Sequence, residues 1–130
     1  MPGLPYLIHF KSIGQSDIGY ISIAEKDTLP FVPQRGYWTY YTPEDVKRGF
    51  HSHYNLEQVL VAVAGRIIVT TEMKSGEKQE FILDSPKVGL YIPKMCWRMM
   101  QYSHNAVQMC IASEVFDEKD YIRDYQEFLK

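Results

Sequence analysis

The stretch Arg48-Gly49-Phe50-His51-Ser52-His53-Tyr54-Asn55-Leu56-Glu57, with Gly65 beyond it, decides how this chain is read. Strand side chains alternate between faces, so His51 and His53, two residues apart, project to the same side of an extended segment. Arg48 brings a guanidinium into the same segment. Histidine titrates nearest neutrality, so the pair suits either proton transfer or metal ligation. Titratable groups clustered on one face point to a functional site.

Outward from this segment the chain consists of short strand-like runs over residues 6–13, 19–25, 35–41, 58–63, 66–72, 80–83, 88–92, 96–102 and 106–112. Each is bounded by Asp, Ser, Pro, Gly or Asn, the residues that favour turns. Strands at such even spacing predict an all-β sandwich or small barrel. No linker, low-complexity tract or repeat interrupts them, so residues 1–130 read as one domain. Only the tail changes period. From Asp117, an expected N-cap, Tyr121, Ile122, Tyr125, Phe128 and Leu129 recur at helical spacing and predict an amphipathic helix docked on the outside of the barrel.

The formal net charge of -2 over 130 residues argues against a nucleic-acid partner, which calls for a basic footprint. It leaves room for a small anionic ligand held by a few arginines. Cys96 and Cys110 lie in apolar runs and read as buried free thiols of a reducing compartment. Residues 1–6 lack the basic start and apolar run of a secretory leader, and no apolar stretch approaches the ~20 residues that span a bilayer. The expectation is a cytoplasmic protein with no membrane partner.

The spacing His51-x-His53-x-x-x-Glu57 resembles the first signature of the cupin barrels, and Gly89-Leu90-Tyr91-Ile92-Pro93 leading to Trp97 resembles the second. The resemblance implies a jelly-roll barrel, here closed by the short C-terminal α-helix. In cupins the two histidines and the glutamate commonly bind a metal with a further histidine, whose place here falls to Arg98. A guanidinium has no free lone pair and stays protonated. The expected site therefore holds no metal, although a His51, His53 and Glu57 set remains an alternative. Without metal the same groups form an acid–base site: a neutral imidazole takes a proton next to a carbonyl, and Arg48 and the Tyr40 hydroxyl are candidates to stabilise the enolate.

A more specific resemblance covers nearly the whole chain. Arg35-Gly36-Tyr37-Trp38-Thr39-Tyr40, Arg48 through His53, Leu56-Glu57-Gln58-Val59-Leu60-Val61, Leu83 through Ile92 and Asp120-Tyr121-Ile122-Arg123-Asp124-Tyr125 resemble the nucleotide-sugar 3,4-ketoisomerases, the WxcM-like cupins. The family implies a dTDP-linked 4-keto-6-deoxy sugar as substrate, its conversion to the 3-keto isomer, no cofactor, and a homodimer that exchanges N-terminal strands. The product would supply synthesis of a 3-amino-3,6-dideoxy sugar for a surface polysaccharide. Carried onto matching positions, His51 is the base, His53 and Tyr40 are its acid or positioning partners, and Arg48 completes the catalytic set. Arg98, Arg35, Trp97 and Gln58 are the expected substrate-binding residues, with Arg35 and Lys94 candidates for the diphosphate.

Two departures bear on the product. Many relatives carry Trp-His-Glu-Met where this chain has Trp97-Arg98-Met99-Met100, and Ile18 stands where they often place a polar residue. The arginine implies a gluco-configured rather than a galacto-configured 3-keto product. Two further alternatives stay open on sequence: a sugar-nucleotide-binding cupin without catalysis, and an epimerase on the same barrel.

Overall fold

Alternating apolar and polar residues along short strands build the molecule, whose computed structural model describes residues 3–130. Of the leader reading over residues 1–6, Met1 and Pro2 lie outside the described residues. In chain order the strands are β1 (Tyr6–His9), β2 (Lys11–Gln15), β3 (Gly19–Ile23), β4 (Arg35–Tyr40), β5 (Lys47–His53), β6 (Gln58–Ala64) and β7 (Ile67–Met73). β8 (Lys78–Leu83), β9 (Val88–Ile92), β10 (Cys96–Tyr102), β11 (Val107–Ala112) and β12 (Tyr121–Ile122) follow, then the helix α1 (Tyr125–Leu129). This is the expected all-β architecture with a short C-terminal helix. Among the described residues no helix is long and apolar enough to cross a membrane.

Two five-stranded antiparallel sheets, ordered β1-β9-β6-β11-β4 and β12-β5-β10-β7-β8, face each other, and β2-β3 forms a separate hairpin. Between the sheets lies the main core, with Leu60, Ile67, Val69, Leu83, Leu90 and Ile92 at its centre. A second cluster of Phe10, Leu29, Val59 and Val61 covers the opposite face of the first sheet, joined by Tyr91, Met109 and Ile111. This explains why Val59 through Ala62 of β6 read as an apolar run: those residues are buried on both faces of the sheet. The backbone at Gly89 runs close beneath Phe10, where a Cβ would stand 2.7 Å from the ring.

The structure departs from the sequence reading at both ends. The expected first strand over residues 6–13 splits at Phe10, whose side chain buries in the second cluster while its N–H donates to Lys87 O at 2.8 Å. Past that point the chain leaves the sheet as the exposed β2-β3 hairpin. At the other end Asp117 caps only a 3-10 turn, Glu118–Asp120, and the helix is confined to Tyr125–Leu129 with Asp124 as its N-cap. Tyr121 and Ile122 pair instead with His53 and Ser52 of β5. The cause is Asp120, whose carboxylate accepts from the N–H groups of Asn55 and Leu56 at 2.8 and 3.0 Å and draws the segment onto the sheet before a helix can start.

Candidate active site

Three strands carry the polar interior. Along β4 the partly buried positions are Arg35, Tyr37 and Thr39, while Gly36, Trp38 and Tyr40 face outward. Along β10 Cys96, Arg98, Met100 and Tyr102 are buried, and Trp97, Met99 and Gln101 lie on the other face. The pairing of β5 with β10 slips between Arg98 and Met99, where Phe50 is the extra residue. Gly49 has φ 96° and Phe50 φ 56°, and a Cβ at Gly49 would stand 2.9 Å from Arg98 O, so glycine is required there. This bulge breaks the alternation and lets Arg48 and His51, three residues apart, line one cavity.

That cavity holds about 570 Å3 and is lined by Arg35, Tyr37, Arg48, His51, Tyr121 and Arg123, among others. His51 Nδ1 lies 3.1 Å from Gly49 O. A carbonyl can only accept, so Nδ1 carries the proton and Nε2 keeps its lone pair. Burial, and then the Arg98 charge, pull the His51 pKa down to about 3, leaving the ring neutral at ordinary pH. Directly behind it His53 is 0% exposed, with the two rings edge to face at a centroid separation of 4.9 Å. The same two causes lower the His53 pKa as well. The Tyr121 ring closes the group, 5.2 Å from His51 and 4.3 Å from His53.

Beneath this layer Arg98 is 1% exposed. Its Nε donates to Cys96 O at 3.1 Å and its Nη1 to Gln58 Oε1, while Nη2 has no partner among the described residues. Gln58 Nε2 donates in turn to the Tyr37 hydroxyl at 2.8 Å and to Cys110 Sγ at 3.3 Å. Burial pushes the Tyr37 phenol well above its ordinary range and the Cys110 thiol up to about 11, so both stay neutral. Arg35 packs over the Tyr37 and Phe116 rings, and its buried Nε and Nη2 lack acceptors among the described residues. Arg123 is bound in bidentate fashion by Glu118. Among the described residues no carboxylate lines the cavity, while three guanidiniums do and a fourth lies beneath. Such a cavity suits an anion with several acceptor oxygens.

The structure brings together Arg35, Arg48 and His51 at the cavity, with His53, Gln58 and Arg98 packed behind them. It does not bring Tyr40 or Trp97 there. Tyr40 lies on the opposite face of β4, is 54% exposed and packs edge to face on the Tyr41 ring. Trp97 points outward from β10 and packs on Tyr125 and Phe128, anchoring α1. Glu57 is also turned away, its carboxylate accepting from the Tyr91 hydroxyl at 2.6 Å beside the outer cluster. The set His51, His53 and Glu57 is therefore not assembled, and among the described residues no three His, Cys, Asp or Glu side chains gather to hold a metal. Tyr37, Tyr121, Phe116 and Arg123 were not expected at the site. Tyr37 was recoverable from its even spacing to Arg35, and Tyr121 and Arg123 were hidden by assigning the tail from Asp117 to a helix, whereas Phe116 precedes that segment and lies outside every expected strand.

Residues 5–130 match the family model described as FdtA: WxcM-like, C-terminal. The chain is 41% identical over 125 residues to a TDP-4-oxo-6-deoxy-alpha-D-glucose-3,4-oxoisomerase of Aneurinibacillus thermoaerophilus, covering 95% of this chain and 89% of that one. Among solved structures it is similar to the sugar 3,4-ketoisomerase QdtA of Thermoanaerobacterium thermosaccharolyticum in complex with TDP. That match has a TM-score of 0.91 and 35% identity, over 96% of this chain and 91% of the other. A TDP-quinovose 3,4-ketoisomerase, WlaRB of Campylobacter jejuni, matches with a TM-score of 0.90 and 32% identity over 96% of both chains. The chain belongs to the FdtA, WxcM-like family.

Proposed function

We propose that this chain is a 3,4-ketoisomerase that converts TDP-4-keto-6-deoxyglucose to a TDP-linked 3-keto-6-deoxy sugar, with His51 as the base. The observation that carries the reading is the Nδ1–Gly49 carbonyl contact, which leaves a neutral imidazole with a free Nε2 lone pair in a cationic cavity. His51 removes the C3 proton, which the neighbouring 4-keto group acidifies, and the C3–H electrons form a 3,4-enediolate with its charge on O4. The O3 proton passes to O4, C3 becomes the carbonyl, and C4 takes up a proton in place of the one removed from C3. Substrate and product are isomers, so no electron is gained or lost. Arg98, a buried guanidinium whose Nη2 is unpaired among the described residues, supplies positive charge beneath the developing oxyanion. Arg35 and Arg48 take the diphosphate, for which the Arg35 Nε and Nη2 are suited.

Three finer assignments belong to the same proposal. The product is gluco-configured, because Arg98 holds the 4-oxygen but cannot donate a proton at neutral pH. The enzyme is a homodimer exchanging N-terminal strands, a reading supported by apolar side chains on β1 and the β2-β3 hairpin, where Ile18 is 78% exposed. The 3-keto product is the substrate of an aminotransferase that makes a 3-amino-3,6-dideoxy sugar.

NMR of TDP-4-keto-6-deoxyglucose with the protein in deuterated water tests the reading. Keto migration with deuterium incorporation at C4 is expected, and the couplings at C4 give the configuration. An unaltered spectrum would end the proposal. A galacto product, or an Arg98→His variant with unchanged product configuration, would remove the stereochemical assignment alone.

A further inference from the structure

His53 presents a problem that the mechanism does not answer: it is buried, and among the described residues neither ring nitrogen has a hydrogen-bond partner. Buried imidazoles in native proteins are normally satisfied, so each orphan calls for an explanation. On the side away from the active cavity His53 borders a second, acidic cleft of about 200 Å3, which also exposes Asp120 and Glu114. Asp120 Oδ2 lies 3.7 Å from His53 Nδ1, just beyond hydrogen-bond length. The carboxylate is not free to wander, because the Asn55 and Leu56 N–H groups hold both its oxygens. The backbone pairing of Tyr121 with His53 fixes Asp120 at that distance from the ring.

We propose that Asp120 is the positioning residue for His53, accepting its Nδ1–H in the working enzyme and thereby leaving Nε2 to exchange a proton with the His51 side of the site. This deepens the ketoisomerase reading and rests on it for its catalytic meaning. The small movement needed is a rotation of the imidazole about its χ2, a broad torsion. Two consequences follow. The tautomer of His53 is fixed, as an orienting carboxylate fixes the histidine of other acid–base pairs. The negative charge also opposes the cations that face the ring, Arg98 from β10, Arg35 from β4 and Arg123 beyond β12, with neutral His51 and Tyr121 completing its surroundings. Across the cleft Glu114 and Asp117 add to the same sign. Asp120 thus counters part of the cationic field on His53, so that Nε2 can pass a proton during the cycle while the resting ring stays neutral.

The test has a direct arm and a kinetic arm. Nitrogen-15 NMR of the wild-type protein, with His53 assigned through a His53→Gln variant, reads the tautomer without relying on a variant at Asp120. The expected result is a proton on Nδ1 and a bare Nε2. In Asp120→Asn, which keeps an oxygen for one of the two backbone N–H groups, that preference is lost. The kcat of the variant falls about ten- to hundredfold, as for removal of other orienting partners, with KM unchanged within about twofold, and the alkaline limb of the kcat profile moves to lower pH. A merely structural role would leave that limb in place. A wild-type His53 protonated on Nε2, or an Asp120→Asn enzyme with native tautomer and pH profile, overturns the inference. A wild-type protein with the Nδ1–H tautomer but no keto migration supports the His53–Asp120 pairing and sinks only the substrate assignment.

Discussion

The barrel interior has a dry side and a wet side, built from the same strands by the same alternation. Toward β7, β8 and β9 the inward positions are Ile67, Val69, Leu83, Leu90 and Ile92, all at the centre of the main core. Toward β4, β5 and β10 they are Arg35, Tyr37, His51, His53 and Arg98, where several polar atoms have no partner among the described residues. The dry side stabilises the fold through apolar burial. The wet side opposes it, because desolvated cations without carboxylates cost free energy that a core of the same volume would not. The division predicts that stability and catalysis respond to different residues.

The largest expected effect lies on the wet side. His51→Asn removes the base and should lower kcat by about 10²–10⁴-fold, with KM and thermal midpoint near wild type. Turnover near the native rate would transfer the role of base to another group. On the dry side, Leu90→Ala should cost about 2–5 kcal/mol in denaturant unfolding and leave kcat close to native at temperatures where the variant is folded. Arg98→Met should do the reverse, abolishing turnover while unfolding at an equal or higher denaturant concentration. If Arg98→Met proves as destabilising as Leu90→Ala, the contrast between the two sides fails.

Acid should weaken the wet side first. In the unfolded chain His51 titrates near 6.5, and in the fold burial and Arg98 bring it down to about 3. Between those values the unfolded state binds more protons, so stability is fully present above pH 6.5 and is lost as pH falls toward 3. His53 is shifted in the same direction and adds to the slope. The loss should be on the order of a few kcal/mol, read from urea midpoints across that window. His51→Asn should flatten it, whereas Leu90→Ala should shift the whole curve without changing its slope.

The dry side was legible in the sequence almost to the residue. The expected run over 88–92 coincides with β9 and the run over 66–72 is one residue from β7, because regular strands with one apolar face obey the period-two rule. The wet side was legible in its histidines and arginines, but not in its geometry, for two physical reasons. A bulge at Gly49 and Phe50 resets the alternation, so Arg48 and His51 share a cavity against strict parity. A helical pattern in the tail was overridden by Asp120, whose bonds to the β5–β6 turn place Tyr121 against both histidines. Where no bulge intervenes, parity was available and contradicted the expected set: Trp97 and Arg98 are neighbours, and Arg35 and Tyr40 are five apart, so neither pair can face one cavity.

The finest test of that parity compares two tyrosines on one strand. Tyr37 shares the inward phase of Arg35, accepts from Gln58 Nε2 and so orders the amide that receives Arg98 Nη1. Removing its hydroxyl leaves a buried Gln58 donor short of one acceptor, at about 1 kcal/mol in stability, and loosens the guanidinium under the substrate. Tyr37→Phe should therefore lower kcat several-fold. Tyr40 lies exposed on the outer face, so Tyr40→Phe should leave kcat, KM and the unfolding midpoint within error of wild type. A kcat loss in Tyr40→Phe that exceeds the loss in Tyr37→Phe would mean that the outer face of β4 reaches a substrate. In the proposed dimer that could only be one bound by the partner, and the wet side would then extend across the interface.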